Sequence, residues 1–343
     1  MRRCKKMKQK KSKFSGDLLT FLLVAAVYAV VAYLLYGGSL TRQFSNMLIP
    51  ISVYIVLAVS LNLVVGLLGE LSLGHAGFMS VGLFSGCLLS IALVDILPTP
   101  VRLPLSMLAG GLVAALFGLA VGLPALRLKG DYLAIVTLAC GEIIKNIITN
   151  LKFTGGALGL NTNPIYSNAK KLLPYAIVLV LLTVLVMMNL KRSKQGRAIM
   201  AIRDNRIAAE SVGIDVTRYK LTVFTIAAFF AGAAGTLYGH FFANVKAASF
   251  DYNMSIEILV IVVLGGMGSI PGSIIAAIVL TALPEAMREF ADYRMLLYAI
   301  VLIIVMLATN NPTMKDFLRR ISPAALLRRA AKKKTPSLQK EEA

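Results

Sequence analysis

Nine long apolar stretches recur along the chain and constrain its fold more than any single motif does. They lie near residues 18–36, 46–68, 76–97, 104–126, 131–150, 173–189, 221–243, 256–283 and 295–309. One bilayer crossing needs about 20 mostly apolar residues, so most of these stretches have the length of a membrane span. Because an isolated strand in hydrocarbon leaves its backbone polar groups unpaired, the spans are expected to be helices. The sequence therefore predicts an all-α polytopic membrane protein with about 8–10 transmembrane helices, some of them broken or re-entrant.

The charged residues indicate which parts of the chain face the cytoplasm. Only 15% of the 343 residues are charged and 57% are hydrophobic, which places the chain in the membrane class. The net charge of +20 is concentrated in three blocks that flank apolar spans, residues 2–13, 191–220 and 315–340. Basic flanking segments are retained in the cytoplasm. We therefore predict cytoplasmic N- and C-termini. We predict no nucleic-acid partner, because no basic platform with interleaved aromatic residues is present.

The same pattern divides the chain into three parts. Residues 1–17 form a basic cytoplasmic extension, residues 18–310 a transmembrane domain, and residues 311–343 a basic cytoplasmic tail. Within the tail, residues 324–334 either lie on the inner leaflet as a basic helix, with anionic membrane lipid as partner, or are disordered.

The stretch at 256–283 is expected to contain a break. Residues 265–272 read GGMGSIPG, in which the glycines lack helix propensity and the proline removes a backbone donor. The number of membrane crossings indicates the same place. Three simple crossings between the second and third basic blocks would put the C-terminus outside the cytoplasm, where its basic residues are not expected. Two short helices that enter and leave on the outer face would keep the C-terminus in the cytoplasm. A single kinked helix, with another span misjudged, is the alternative.

A second glycine-rich stretch, residues 66–82, carries polar side chains within an apolar span. Glycines at this density either allow close helix packing or break the helix so that its ends meet a solute inside the membrane. Here they are mixed with Glu70, Ser72 and His75, in a run that makes a poor continuous membrane helix. Both interpretations stay open. His75 alone is more typical of a satisfied structural histidine than of a ligand or proton carrier.

Ionisable groups inside the spans are a further set of candidates, because charge in the bilayer is costly and such groups usually face a cavity or one another. They are Glu70, Asp95, Asp131, Glu142, Lys145 and Glu257. Glu142 and Lys145 stand three residues apart on one predicted helix and can pair on one face. This pair either borders a cavity or is a neutralised structural pair near the membrane boundary.

The longest polar stretch between spans, residues 193–220, is predicted to be helical and cytoplasmic. Apolar residues with charges between them suit a short helix that docks on a partner. These apolar positions are Ile199, Ile202, Ile207 and Val212. A charged loop without a docking role is the alternative.

The chain lacks the motifs of several enzyme classes. It contains no Gly-x-x-x-x-Gly-Lys-[Ser/Thr] phosphate loop, no His-Glu-x-x-His, no Cys-x-x-Cys and no Gly-x-Ser-x-Gly. Its two histidines, His75 and His240, exclude a histidine-rich metal site. We therefore expect no catalytic residues, no metal site and no ATPase site in this chain.

Ordered blocks across residues 60–310 resemble a known family, the inner-membrane permeases of branched-chain amino acid ABC importers of the LivM/LivH type. The blocks are residues 69–78 (GELSLGHAGF), 126–138 (LRLKGDYLAIVTL) with Glu142, 154–156 (TGG), 196–198 (GRA), 201–214 (AIRDNRIAAESVGI), 265–272 (GGMGSIPG), 283–285 (LPE) and 293–295 (YRM). The LKGDYL and LPE blocks resemble the LivM branch more than the LivH branch.

The resemblance implies a permease subunit in a cell (inner) membrane. Its implied partners are a LivH-like sister permease, two cytoplasmic ATPase subunits and a periplasmic or lipid-anchored solute-binding protein. It implies no cofactor for the chain itself, because ATP is bound and hydrolysed by the partner subunits.

The resemblance also assigns residues within 193–215 to the contact with the ATPases. They are Gly196, Arg197, Arg203, Asp204, Ala208, Ala209 and Gly213. The core Ala-Ala-x-x-x-Gly of the family's contact loop matches residues 208–213, but the usual leading glutamate is Ile207 here and no Leu-Pro follows.

The translocation path is expected around a cavity at mid-membrane. There, helix-end N–H groups would meet the carboxylate of an amino acid, and carbonyls or a carboxylate would meet its ammonium group. The candidate residues are Gly69, Glu70, Ser72, Gly74, His75, Gly77, Glu142, Gly265, Gly266, Gly268 and Pro271. Importers of urea and short amides share this permease type and remain an alternative. A further alternative is an ion-coupled secondary transporter that uses Glu70, His75 or Glu142 as its coupling group.

Overall fold

The computed structural model describes residues 21, 24–35, 37, 41–128, 130–286, 299–300 and 303. The predicted N-terminal extension (1–17), the C-terminal tail (311–343) and most of the span predicted at 295–309 lie outside these residues. The chain up to Ala282 forms one compact unit. Beyond Ala282 the structure describes only the last turn of a helix and residues 299, 300 and 303.

Helices make up almost all of the described structure. In chain order they are α1 (Val24–Leu35), α2 (Arg42–Asn62), α3 (His75–Ala92), α4 (Thr99–Ala125), α5 (Asp131–Asn150), α6 (Ala169–Arg192), α7 (Lys194–Asp204), α8 (Arg206–Ser211), α9 (Val216–Phe241), α10 (Tyr252–Gly265) and α11 (Ile270–Ala286). Helix α2 continues directly into a π-helical turn, Leu63–Leu68. Two short strands, β1 (Leu160–Asn161) and β2 (Asn244–Val245), pair antiparallel.

Seven of the described helices are long and apolar enough to cross a membrane. The all-α polytopic fold predicted from the apolar stretches is confirmed. The boundaries moved by several residues in places: the helix expected at 173–189 occupies Ala169–Arg192, and the one expected at 104–126 begins at Thr99. The stretch at 256–283 is divided, as its breaker cluster predicts, because α10 ends at Gly265 and α11 starts at Ile270.

Helices α3, α4 and α9 form the most closely packed part of the bundle. Small residues make this approach possible, as is common between membrane helices. A Cβ atom on Gly82 would collide with the backbone of Gly232, and one on Gly232 would lie 2.8 Å from the Gly110 carbonyl oxygen. Thr236 fixes the contact by donating its hydroxyl to the Gly82 carbonyl at 2.8 Å. The backbones of the three helices therefore touch without large side chains between them.

The bundle has two distinct ends, which we call the strand end and the α7 end. At the strand end, β1 pairs with β2, and the Ser167 amide donates to the His240 carbonyl at 3.0 Å. At the α7 end, α6 passes into α7 through the single residue Ser193, and α9 begins at Val216. The short helices α7 and α8 thus lie together where α6 ends and α9 begins.

Candidate functional site

The first predicted break separates α2 from α3. The helical path ends at Leu68, Gly69 takes a left-handed backbone with φ of 80°, and α3 starts only at His75. This conformation is open to glycine at little cost, whereas other residues rarely adopt it. The glycine-rich stretch therefore interrupts the helix, and some of its glycines also serve packing: a Cβ on Gly74 would lie 2.6 Å from the Thr137 carbonyl oxygen of α5. Both uses that the sequence left open occur in one segment.

Glu70 lies within this break and forms an ion pair with Lys220 of α9. Both side chains are largely shielded from solvent, with 16% of Glu70 and 3% of Lys220 exposed. A buried charge is tolerated when a partner of opposite sign meets it. The pair joins the break to the second turn of α9, at the α7 end.

His75 is the first residue of α3 and Ser72 lies three residues before it, and both side chains are buried. The Nε2 atom of His75 lies 2.9 Å from the Ser60 hydroxyl of α2. The next residue, Ala76, donates its amide to the Ser255 hydroxyl of α10 at 3.2 Å. His75 therefore has a hydrogen-bond partner inside the helix packing, the arrangement typical of a structural histidine.

The second break occupies residues 266–269. Gly266 and Gly268 have φ values of 89° and 81°. Gly265 approaches the start of α11 so closely that a Cβ on it would lie 2.6 Å from the Cα atom of Ser273. Pro271 stands in the first turn of α11, where a missing N–H leaves no helix bond unmade. Re-entry of these two helices on one membrane face stays a prediction.

Asn62, the last residue of α2, holds the second break in place. Its amide nitrogen donates to the Ser269 carbonyl at 3.1 Å and to the Ser273 hydroxyl at 2.8 Å. Its amide oxygen accepts from the Gly268 amide at 2.7 Å. The side chain thus pairs the Gly268 amide, which lies outside both helices, and ties the start of α11 to the end of α2. Asn62 is not among the residues predicted from the sequence, although a single amide within an apolar run is a usable signal.

The two breaks lie against each other. A Cβ atom on Gly66, in the π-helical turn, would collide with the Gly268 backbone, and Gly268 faces the Gly66 carbonyl in return. Both breaks are at the α7 end of the bundle. The path expected around a cavity at mid-membrane stays a prediction. In the structure, α2 stays helical through the π-helical turn to Leu68 before it breaks, and this turn packs against α7.

A basic side chain meets the end of each broken helix. Arg203 of α7 donates from Nη1 to the Gly66 carbonyl at 3.1 Å, near the end of the π-helical turn. Lys191 of α6 donates from Nζ to the Gly268 carbonyl at 2.7 Å, just beyond the end of α10. Gly66 is among the last residues of its helical path, whose carbonyls lack helical partners and carry the negative end of the helix dipole, so a cation is favourable there. Gly268 lies between α10 and α11, and Lys191 gives its carbonyl a hydrogen-bond partner. We call Arg203, Lys191 and Asn62 the break clamp.

The start of the predicted coupling segment is a tight corner between α6 and α7. The Ser193 hydroxyl caps α7 by accepting the Gly196 amide at 3.0 Å. A Cβ on Gly196 would lie 2.9 Å from the Lys191 carbonyl oxygen, so glycine is required by space. Arg197 donates to the Arg192 carbonyl at 3.1 Å on the exposed side of the corner. The corner fixes the direction in which α7 leaves α6.

The four apolar positions that predicted a docking face do not share one environment. Ile199 and Ile202 are buried against the body of the protein, with 1% and 4% exposed. Ile207 and Val212 are 79% and 74% exposed. The prediction of one short helix that carries all four positions is wrong, because the helix ends at Asp204 and a second helix starts at Arg206. Ile207 lies on α8 and Val212 directly follows it, and this exposed α8 pair is accessible to another protein.

Helix α8 and its ends hold the remaining predicted coupling residues. Asn205 caps the helix by accepting the Ala208 amide at 3.1 Å, and Asp204 pairs with Arg203 at 3.1 Å. Ala208 is exposed and Ala209 is buried. Gly213 follows with a φ of 84° and open space around it, so its requirement is one of backbone conformation.

Glu142 lies away from the two breaks. It pairs with Lys145 on α5, as the spacing predicts, and accepts the Tyr252 amide at 2.9 Å at the first residue of α10. The second break lies at the other end of α10. Gly77 lies close to the part of α5 that carries Glu142, because a Cβ on Gly77 would lie 2.9 Å from the Gly141 Cα atom. The predicted path residues therefore form two groups, one at the α7 end and one along α5.

Comparison with known proteins identifies the family. A family model described as the permease component of branched-chain amino acid transport systems matches residues 43–308. The high-affinity branched-chain amino acid permease protein LivM of Salmonella typhimurium is 37% identical over 323 residues, which cover 84% of this chain and 72% of the relative. LivM of Escherichia coli is 38% identical over 290 residues, covering 74% and 66%.

The LivH permease protein of Escherichia coli is 30% identical over 121 residues, or 34% of this chain and 39% of that relative. No solved structure matches the chain. The family model covers most of the chain, including both breaks and α7. On these grounds the chain belongs to the family of branched-chain amino acid transport permease components.

Proposed function

We propose that the chain is the LivM-like permease subunit of an ABC importer and forms, with a LivH-like sister permease, the membrane path for branched-chain amino acids. The observation that carries the proposal is the 37% identity to a LivM permease over 84% of the chain. Two cytoplasmic ATPases bind and hydrolyse ATP, so the subunit needs no cofactor or ATPase site of its own. A periplasmic or lipid-anchored binding protein delivers the solute at the strand end.

The α7 end provides a physical route for the ATPases to act on the path. Ile207 and Val212 supply an exposed apolar contact on α8. Helix α7 packs against the π-helical turn, α6 and α9. Helix α8 packs against α7, and because Ile199 and Ile202 are buried in the packing of α7, a displacement of α8 is passed through α7 to these neighbours.

The break clamp then connects α7 and α6 to the breaks. Arg203 holds the Gly66 carbonyl, and Lys191 holds the Gly268 carbonyl. Since the two breaks also touch through Gly66 and Gly268, a shift of α7 moves the ends of α2 and α10 together. In this proposal, nucleotide binding by the ATPases pulls on α8, and the broken ends open or close the cytoplasmic side of the path.

Reconstitution tests the proposal. The subunit is placed in proteoliposomes with its sister permease, its ATPases and its binding protein, and uptake of labelled leucine is followed with ATP or with a non-hydrolysable analogue. We expect ATP-dependent uptake that excess isoleucine or valine suppresses and that urea does not. Suppression by urea or acetamide would assign the alternative substrate class. Uptake by the permease without any ATPase would overturn the importer assignment in favour of an ion-coupled transporter.

A further inference from the structure

A lateral groove opens between α4 and α6 in the half of the bundle nearer the strand end. Its volume is about 400 Å³. The lining is apolar except for one tyrosine hydroxyl: Pro104, Met107 and Leu108 of α4, Tyr175, Val178, Leu179 and Leu182 of α6, and Phe229 and Ala233 of α9. The described contacts of the α7 end do not involve these residues, so the groove is separate from the break clamp.

The walls of the groove are built by helix spacing. Tyr175, Val178 and Leu182 follow one another at intervals of one turn along α6 and share a face. Helix α9 forms the floor, where Ala233 is small and buried. Helix α4 meets the floor closely at Gly111, where a Cβ would lie 2.9 Å from the Phe229 ring. The groove opens sideways, with Val178 64% and Leu182 46% exposed.

A basic side chain lies on α6 at the end of the groove nearer the strand end. Lys171 is exposed in the first turn of α6, one turn before Tyr175 and on the same face as Tyr175, Val178 and Leu182. From Lys171 to Leu182 the helix rises about 16 Å. That length equals roughly one leaflet of a hydrocarbon core that is about 30 Å thick. A cation at the boundary and an apolar slot one leaflet deep match the two parts of a phospholipid.

We infer that the groove between α4 and α6 is a binding site for one acyl chain of an anionic phospholipid, whose phosphate group pairs with Lys171. A second protein helix fits the slot poorly, because membrane helices meet through small residues and the rims here are Leu108, Val178 and Leu182. The inference does not depend on the transported solute. It requires only that the chain spans a membrane.

The absence of tryptophan from the sequence makes a direct test possible. A Tyr175→Trp variant of the full chain places a single tryptophan in the groove, and a Leu116→Trp variant places one on the exposed face of α4 away from it. Both are reconstituted in phosphatidylcholine vesicles with added phosphatidylglycerol. Quenching is compared when either the phosphatidylglycerol or the phosphatidylcholine carries brominated chains. A Val178→Trp reporter serves if Tyr175→Trp does not fold.

We expect brominated phosphatidylglycerol to be preferred about fivefold at the groove reporter, since one lysine near the surface attracts anionic lipid to that extent. The preference should vanish when Lys171→Gln is added and persist with Lys246→Gln, a matched change of an exposed lysine near the strand end. The control reporter should show no preference. Equal preference at both reporters, indifference to Lys171→Gln, or a groove reporter that neither lipid quenches would each overturn the assignment.

Discussion

Gly66 and Gly268 meet backbone to backbone, although one belongs to the π-helical turn and the other to the break between α10 and α11. This contact joins the two interruptions that the sequence predicts separately. It leaves no room for a side chain on Gly66, whose added Cβ would also lie 2.8 Å from the Gly268 Cα atom.

The first prediction concerns this contact. Gly66→Ala should force the two breaks apart and lower the free energy of unfolding by about 1–3 kcal/mol, the usual cost of overfilling a packed site. The measurement is the thermal midpoint of the detergent-solubilised chain. Gly141→Ala is the matched control, because its Cβ would lie 3.5 Å from the Gly74 Cα atom, an ordinary contact distance. Equal midpoints for the two variants would show that the contact is not tight.

The second prediction concerns the transmission of motion through the break clamp. Arg203→Gln removes the bond to the Gly66 carbonyl, whereas the proposed function assigns ATP hydrolysis to the partner ATPases. We expect leucine uptake by the assembled importer to fall at least tenfold while ATP hydrolysis continues, so that the two processes become uncoupled. Lys194→Gln, an exposed change in the same helix, should preserve both. A parallel loss of uptake and hydrolysis would instead indicate that Arg203 serves assembly.

The third prediction concerns the buried ion pair. Glu70→Gln or Lys220→Met alone leaves one charge unpaired among buried groups, which typically costs about 3–5 kcal/mol. The double variant should recover a large part of the lost stability, because it removes both charges. A double-mutant cycle on thermal midpoints measures the coupling. Strictly additive losses would show that the pair contributes nothing as a pair.

The fourth prediction concerns the exposed apolar pair on α8. Ile207→Asp and Val212→Asp should weaken co-purification of the ATPases without lowering the thermal midpoint, since both side chains are mostly exposed. Thr217→Asp introduces the same charge on the exposed start of α9 and should leave the complex intact. Undiminished co-purification with both α8 variants would remove α8 from the docking surface.

Much of this architecture follows from the sequence alone. The length of the apolar stretches predicts the helices, because backbone N–H and C=O groups inside lipid have to form hydrogen bonds within their own segment. The GGMGSIPG cluster predicts the division at 265–272, and the mixture of glycines with Glu70 limits the 66–82 stretch to close packing or a broken helix, both of which occur. Local composition is sufficient for these features because each is a property of a few neighbouring residues.

The partners of the breaks could not be predicted in the same way. The bonds of Asn62 to Gly268, of Lys191 to Gly268 and of Arg203 to Gly66 join residues far apart in the chain. In the sequence, Lys191 is one more charge of a block predicted to be cytoplasmic. Only the packed structure shows that its Nζ atom donates to the Gly268 carbonyl. The separation of Ile199 and Ile202 from Ile207 and Val212 likewise depends on the change of direction at Asn205.

The contact of α3, α4 and α9 through Gly82, Gly110 and Gly232 limits how the protein can move. Where backbones touch, there is no flexible side chain to rearrange, and sliding one helix past another would drive main-chain atoms together. These three helices must therefore turn or tilt as one solid body. Under the proposed function, alternation of access therefore comes from the elements around that body, and we expect the hinge at the segments that Arg203 and Lys191 hold.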